Sequence, residues 1–172
     1  VIRQDAKTTL DYFKRQDVDI KIISGDDPVT VSAIARRCHL LNYEHYIDVS
    51  SLSDEQIKEA IEKYTIFGRV SPKQKQLMVN ALQENNHTVA MTGDGVNDVL
   101  ALKAADCSIA MASGSDAAKS ASHIVLLKNN FNAMPHIVNE GRRVINNITA
   151  SASMYLIKTI FSVVLSIGMI LF

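Results

Sequence analysis

The chain has few cysteines, few aromatic residues and no excess of charge of either sign. Its two cysteines, Cys38 and Cys107, in 172 residues cannot make a disulfide scaffold. Each sits inside a core-like run, which reads as a reduced, buried thiol in a cytosolic compartment. The 18 Lys+Arg balance 18 Asp+Glu, and aromatics reach only 6%. A nucleic-acid binder would show a basic excess, so no nucleic acid is expected as a partner. A disordered chain is excluded as well, because 47% of the residues are hydrophobic. Internal repeats and low-complexity segments are also lacking.

Charge is missing locally too. Lys158 is the only charged residue in positions 148–172, ITASASMYLIKTIFSVVLSIGMILF. The run is longer than the roughly 20 residues that cross a bilayer core as a helix. A buried helix of a soluble protein would keep a polar stripe, and this run offers only Ser and Thr besides the one Lys. A membrane-spanning helix is therefore expected, with the lipid bilayer as a partner. A C-terminal run is not a signal peptide. Arg142 and Arg143 before it favour a cytoplasmic placement for residues 1–147. The first residue is Val1 rather than Met, and no polar flank follows Phe172, so a segment of a larger membrane protein is expected. Residues 1–131 would be a globular portion, a common domain size, 132–147 a stalk helix and 148–172 the span.

Along residues 1–131, helical patterns alternate with short apolar runs, the mark of a parallel sheet with crossover helices. Ile2, Ala6, Leu10 and Phe13 are spaced for an amphipathic helix over 1–16, followed by a strand over 18–23. Pro28 suits the first turn of the next helix. A short strand is expected at 46–49. Ser53 and Gln56 form a capping-box pattern for a helix running to about Lys63, then a strand at 65–67. Pro72 opens a helix with Leu77, Met78, Ala81 and Leu82 on one face, ended by Asn85-Asn86. Strands at 88–91, 108–111 and 124–127 alternate with helices near 97–104 and 115–121. The last helix, from about Asn132, should run unbroken into the apolar segment. The expected fold is α/β: a Rossmann-like parallel sheet with flanking helices, followed by a transmembrane helix.

In such sheets ligands bind at the carboxyl ends of the strands. Ser24-Gly25-Asp26 follows one apolar strand, and Thr92-Gly93-Asp94-Gly95-Val96-Asn97-Asp98 follows another. Glycine lets backbone approach a ligand, and amides beside it can bind phosphate oxygens. Asp94 and Asp98, four apart, can face one point, where they would repel unless a hard cation lay between them. Phosphate-binding amides beside clustered carboxylates suit Mg²⁺ and phosphoryl transfer, whose barrier falls mainly through positioning and charge neutralisation.

TGDGVND, with SGDDP upstream and FGRVSPKQK between them, resembles the phosphorylation domain of P-type ATPases, ion or lipid pumps of the haloacid dehalogenase superfamily. The likeness covers essentially the whole chain, through the stalk pattern EGRRVINNI into the fifth transmembrane helix. It implies ATP as substrate, Mg²⁺ as cofactor and a multi-pass protein of the cell membrane. Its other partners would be the rest of the pump and a transported cation or other substrate. By the same resemblance Ser24 is the hydroxyl that bonds the phosphoryl group, with Gly25 and Asp26 beside it. Lys75 neutralises phosphoryl charge, and Asp94 is the Mg²⁺ ligand. Gly93, Gly95 and Asn97 help hold the phosphoryl group, and Asp98 completes the site, as a catalytic residue or a second metal ligand.

The family's nucleophile, an Asp in a DKTGT motif, is not in the sequence. Asp5-Ala-Lys-Thr-Thr carries an extra Ala, lacks the Gly and sits on a helix. The resemblance therefore puts the nucleophile before Val1, and the segment alone is expected to be inactive. Val99-Leu100-Ala101-Leu102 replaces the usual Ala-Pro-Ala-Leu. Ser108 and Ala112 stand where Gly is usual, and His123, where Asp is usual, is expected to pack or cap. A Lys within a membrane helix costs about 2.5–3.5 kcal/mol on insertion scales, which makes Lys158 a transport-pathway candidate. The positions matching calcium ligands hold Lys158, Ile160 and Val163, so no carboxylate calcium site is expected on this helix. Other readings are a soluble phosphatase of the same superfamily, a catalytically silent regulatory module, or a pump for a lipid or other non-calcium species.

Overall fold

The computed structural model describes residues 5–127 and 130–171. It falls into two units, Val1–Asn132 and Ala133–Phe172. The first alternates helices and strands: α1 (Asp5–Lys14), β1 (Ile22–Ile23), α2 (Pro28–Arg37), β2 (Tyr46–Asp48), α3 (Asp54–Lys63), β3 (Ile66–Gly68) and α4 (Pro72–Glu84). Then come β4 (Ala90–Gly93), a 3-10 turn at Val96–Asp98, α5 (Val99–Ala104), β5 (Cys107–Met111), α6 (Asp116–Ala121) and β6 (Ile124–Leu126). All strand pairs are parallel, in two sheets of order β1-β3-β2 and β4-β5-β6. The parallel α/β fold read from the alternation is thus observed, as two three-stranded sheets.

Helix starts follow local chemistry. Ser53 accepts the Gln56 N–H while Gln56 accepts the Ser53 N–H, the reciprocal capping box expected there, and α3 ends at Lys63. Ser71 and Gln74 form a second capping box, with Pro72 in the first turn of α4. Each cap contributes about 1 kcal/mol. Asp27 caps α2, accepting from Val29 and Thr30. His123 bonds to a strand rather than to a helix end: its Nδ1 accepts the N–H of Ser108 in β5 at 3.0 Å.

The core forms around β3, whose three residues are all buried. Phe67, Ile57, Ile61, Val49 and Met78 make one cluster, and Phe67→Ala would cost about 3–5 kcal/mol. Met78 and Ala81 of α4 face this cluster, while Val79 packs with Ala101 and Ala105 in another. All four residues of the expected face, Leu77, Met78, Ala81 and Leu82, pack on the first cluster, and Val79 adds a second apolar face, so the helix joins the halves of the unit. That fixes Lys75, in its first turn, relative to both sheets.

Several boundaries differ from expectation. The strand expected over 18–23 shrinks to Ile22–Ile23, because pairing starts only where the Ile22 N–H meets the Thr65 carbonyl. The strand expected at 88–91 lies at Ala90–Gly93. Residues 1–4 of the first expected helix lie outside the described residues. Among the described side chains of α1 the buried one is Thr9, whose hydroxyl donates to Asn132 Oδ1 at 3.0 Å.

The second unit is one helix, α7 (Ala133–Leu171), of 39 residues. At about 1.5 Å per residue it is roughly 58 Å long, about twice a bilayer's hydrocarbon core. It is long and apolar enough to cross a membrane and still extend beyond it. Pro135 causes no break, since it falls in the first turn, where the missing N–H has no helical partner to lose.

Candidate phosphoryl-transfer site

The SGD loop forms where β1 ends. The Ser24 N–H continues the ladder to the Phe67 carbonyl at 2.9 Å, and the chain then turns. The Ser24 hydroxyl donates to Asp26 Oδ2 at 3.1 Å and accepts the Asp26 N–H at 3.1 Å, a turn closed by its own side chains. Gly25 and Asp26 are exposed, and a Cβ at Gly25 would meet nothing within 4 Å. The loop is pinned from below: the Arg69 N–H donates to the Asp26 carbonyl at 2.8 Å and the Val70 N–H to the Ser24 carbonyl at 3.0 Å.

Arg69 is a residue that sequence reasoning passed over. Its guanidinium reaches Asp27 Oδ1 at 3.1 Å and Asp48 Oδ2 at 3.2 Å. It thereby ties the SGD loop to the end of β2, from a left-handed backbone position with φ 55°. Hydrogen bonds from Ser50 hold the Asp48 carboxyl below its usual range, with a smaller push from Arg69. Gly68 beside it has a plain reason to be glycine, because a Cβ there would lie 2.5 Å from Pro28 Cδ. The only sequence signal was a basic residue between the two Gly-Asp loops, within the quoted FGRVSPKQK segment.

The second loop is built around Asp98, a buried carboxylate at 8% exposure. Lys75 Nζ lies 2.7 Å from Asp98 Oδ1, and the Gly95 N–H donates to Oδ2 at 3.0 Å. A Cβ on Gly93 would stand 2.5 Å from Asp98 Cβ, so glycine there makes room for this side chain. Gly114 plays the same part behind Asp94: its Cβ would lie 2.8 Å from the Asp94 carbonyl oxygen, which also accepts the Ser115 N–H at 2.8 Å.

Asp94 and Asn97 are exposed, and among the described residues neither side chain has a hydrogen-bond or ion-pair partner. Asp98, by contrast, has both oxygens engaged. The described residues contain no cluster of three or more His, Cys, Asp or Glu placed to hold a metal. An all-protein metal cage is therefore not built here. Mg²⁺ needs none, since it keeps several waters and is bound through one or two carboxylates plus phosphate oxygens. A free carboxylate on a glycine-rich turn beside a buried Lys fits that donor set.

The structure thus gathers Lys75, Asp98, Gly93 and Gly95 into direct contact. Ser24, Gly25 and Asp26 stand in the neighbouring loop, hydrogen-bonded to Val70 five residues before Lys75. Lys158 belongs to the separate helical unit, where it is exposed and without a partner among the described residues. On the same helix the Thr159 and Ser166 hydroxyls bond back to the carbonyls of Tyr155 and Ser162.

A family model described as haloacid dehalogenase-like hydrolase matches residues 1–106. Over 166 residues the sequence is 52% identical to a probable cation-transporting ATPase of Streptococcus pneumoniae, covering 96% of this chain and 21% of that protein. Over 168 residues it is 51% identical to the calcium-transporting ATPase CtpE of Mycobacterium tuberculosis, again 96% of this chain and 21% of the relative. A zinc-transporting PIB-type ATPase crystal structure superposes with TM-score 0.68 at 27% identity, covering 86% of this chain and 20% of that one. The catalytic domain of a CPx-ATPase, CopB-B, gives TM-score 0.63 at 27% identity over 80% of this chain and 46% of its own. The chain spans about a fifth of the length of these curated relatives. It belongs to the haloacid dehalogenase-like hydrolase family, and the relatives it resembles over most of its own length are cation-transporting ATPases.

Proposed function

We propose that the chain is the C-terminal part of the phosphorylation domain (1–131), the stalk helix (132–147) and one span (148–172) of an ATP-driven cation pump. The pump forms and hydrolyses an aspartyl-phosphate and couples that cycle to transport. The observation that carries this reading is the Lys75–Asp98 pair beside the uncommitted Asp94 carboxylate, linked through Val70 to the Ser24 loop. Residues 1–147 would be cytoplasmic and the whole protein a multi-pass protein of the cell membrane.

In this reading Lys75 presents a compact ammonium to the transferring phosphoryl group, and Asp98 holds that ammonium in place. The Ser24 hydroxyl exchanges its bond to Asp26 for a phosphoryl oxygen. Asn97 and the backbone around Gly25, Gly93 and Gly95 orient the remaining oxygens. Asp94 would hold Mg²⁺, which supplies charge neutralisation when bound. The nucleophilic Asp comes from sequence N-terminal to Val1, so the segment alone does not turn over ATP. A place for its strand is suggested by β1 and β4, each paired on one edge only, with the two loops at their carboxyl ends.

The relatives' names favour a cation over a lipid as the transported species, and calcium is the first to test. Position 158 is Lys, so carboxylate ligands would come from other helices. Lys158 would line the path or pair with a carboxylate there. The test is phosphoenzyme formation from ATP in the full-length protein, with and without calcium. Asp94→Asn and Lys75→Met are expected to abolish it. Retained turnover in Asp94→Asn would favour a catalytically silent module. Hydrolysis of small phosphoesters by residues 1–147 would favour a soluble-type phosphatase.

A further inference from the structure

We propose that the groove between α2 and β2 binds an extended acidic segment of a partner protein, which adds as a strand to the free edge of β2. The inference does not depend on the phosphoryl-transfer reading. The groove has a volume of about 520 Å³ and is lined by Val29, Ala33, Arg36 and Arg37 of α2 together with Tyr43 and Tyr46. No acidic side chain lines it.

Three observations select the occupant. The first is charge. Arg36 and Arg37 are both exposed, and among the described residues neither has a carboxylate partner. Arg36 instead lies over the Tyr43 ring, 6.0 Å from its centroid, which holds the guanidinium at the groove. Arg69 and Arg143, by contrast, are ion-paired.

The second observation is the strand edge. The Ile66 N–H donates to the His45 carbonyl and the Val49 N–H to the Gly68 carbonyl. In a parallel ladder the facing residues alternate, so His45, Ile47 and Val49 face β3. Tyr46 and Asp48 turn their N–H and C=O outward. Because β2 is the terminal strand of its sheet, these groups are open to a peptide backbone.

Third, the floor of the groove is apolar where an alternating peptide would insert a side chain. Val29 is 57% exposed and Tyr46 40%, and the Ser32 hydroxyl fixes the wall by donating to the Tyr43 carbonyl at 2.8 Å. A free anion would use only the guanidiniums. An extended segment with alternating apolar and acidic residues uses the guanidiniums, the floor and the edge together.

The test uses the 172-residue chain in detergent micelles with a fluorescein-labelled peptide of alternating Val and Glu, and a Val/Lys peptide as control. The Val/Glu peptide should bind at least about tenfold tighter, weaken as salt rises and protect the Tyr46 and Asp48 amides from hydrogen exchange. Arg36→Gln with Arg37→Gln should weaken it about tenfold while thermal unfolding stays unchanged, both side chains being exposed. Equal binding of the two peptides, or binding without protection of β2, overturns the proposal. So does full competition by inorganic phosphate, which would mean an anion site only. Arginine-dependent binding to phosphatidylserine vesicles without any to the peptide would overturn it in favour of a membrane surface.

Discussion

Lys75 and Asp98, 23 positions apart, meet at 2.7 Å with only 12% and 11% of their side chains exposed. Taking two charged groups this far from water is costly, and their close contact offsets that cost. Asp98 cannot swing away, since its second oxygen holds the Gly95 N–H and its Cβ fills the space that Gly93 leaves. The pair sets the height of the second loop above α4, and with it the position from which Asp94 and Asn97 reach outward.

Removing one partner should therefore be costly. Lys75→Met is expected to lower stability by about 3 kcal/mol, because it leaves a buried carboxylate unpaired. Urea unfolding of the detergent-solubilised chain measures this. Asp94→Asn should change the same unfolding free energy by less than about 0.5 kcal/mol, since its carboxylate is exposed and uncommitted. A large loss in Asp94→Asn would mean that Asp94 is structural.

The glycines separate in the same way. Gly93→Ala puts a methyl 2.5 Å from Asp98 Cβ and 2.8 Å from its Cγ, and the buried side chain has nowhere to move. A loss of about 1–3 kcal/mol is expected. At Gly25 the added methyl meets nothing, so Gly25→Ala should fold as the parent does. Any effect of Gly25→Ala would then appear only in nucleotide-dependent assays of the full-length protein. Equal destabilisation by the two substitutions would contradict the packing described.

Acid should unfold the α/β unit through specific carboxylates. Glu62 is held below its ordinary 4.5 first by the Asn85 side chain and then by His87. Asp106 is held below 3.8 first by the Val89 N–H. A depressed folded pKa means that the unfolded chain binds more protons, so stability rises with pH through this window. Both contributions are complete above about pH 5 and are lost as pH falls through the folded values. Asp106→Asn should flatten the curve of unfolding midpoint against pH below 4.5. An unchanged slope would rule Asp106 out as a cause.

The alternation of apolar runs with helical patterns showed the parallel fold, and Ser53, Pro72 and Asn85 marked helix ends because capping is chemistry within four residues. Strand limits were less legible. Val18 and Ile20 carry the same apolar alternation as Ile22, yet only Ile22–Ile23 finds a partner in β3. Pairing partners are set by the neighbouring chain, not by the run itself. In the site, Ser24 and Asp94 could be read from their loops. The Asp98 contact with Lys75 and the double clasp of Arg69 on Asp27 and Asp48 join residues 20 or more positions apart. No local spacing encodes them.

The two half-sheets lead to the last prediction. The N–H groups of Ile22 and Ser24 are spent on β3, which turns the Ile23 N–H to the outer edge of β1. The Cys107 N–H bonds the Val89 carbonyl, so alternation turns the N–H groups of Ala90 and Thr92 to the outer edge of β4. If a strand bearing the nucleophile joins β1 to β4, it must use these three amides. Hydrogen exchange should be fast at Ile23, Ala90 and Thr92 in the 172-residue chain. In a longer protein that includes the upstream domain it should be slow at all three, with Ile22 and Cys107 protected in both. Fast exchange persisting at Ile23 and Thr92 in the longer protein would place the nucleophile's strand elsewhere, and the loops at the ends of β1 and β4 would then not face it across a shared sheet.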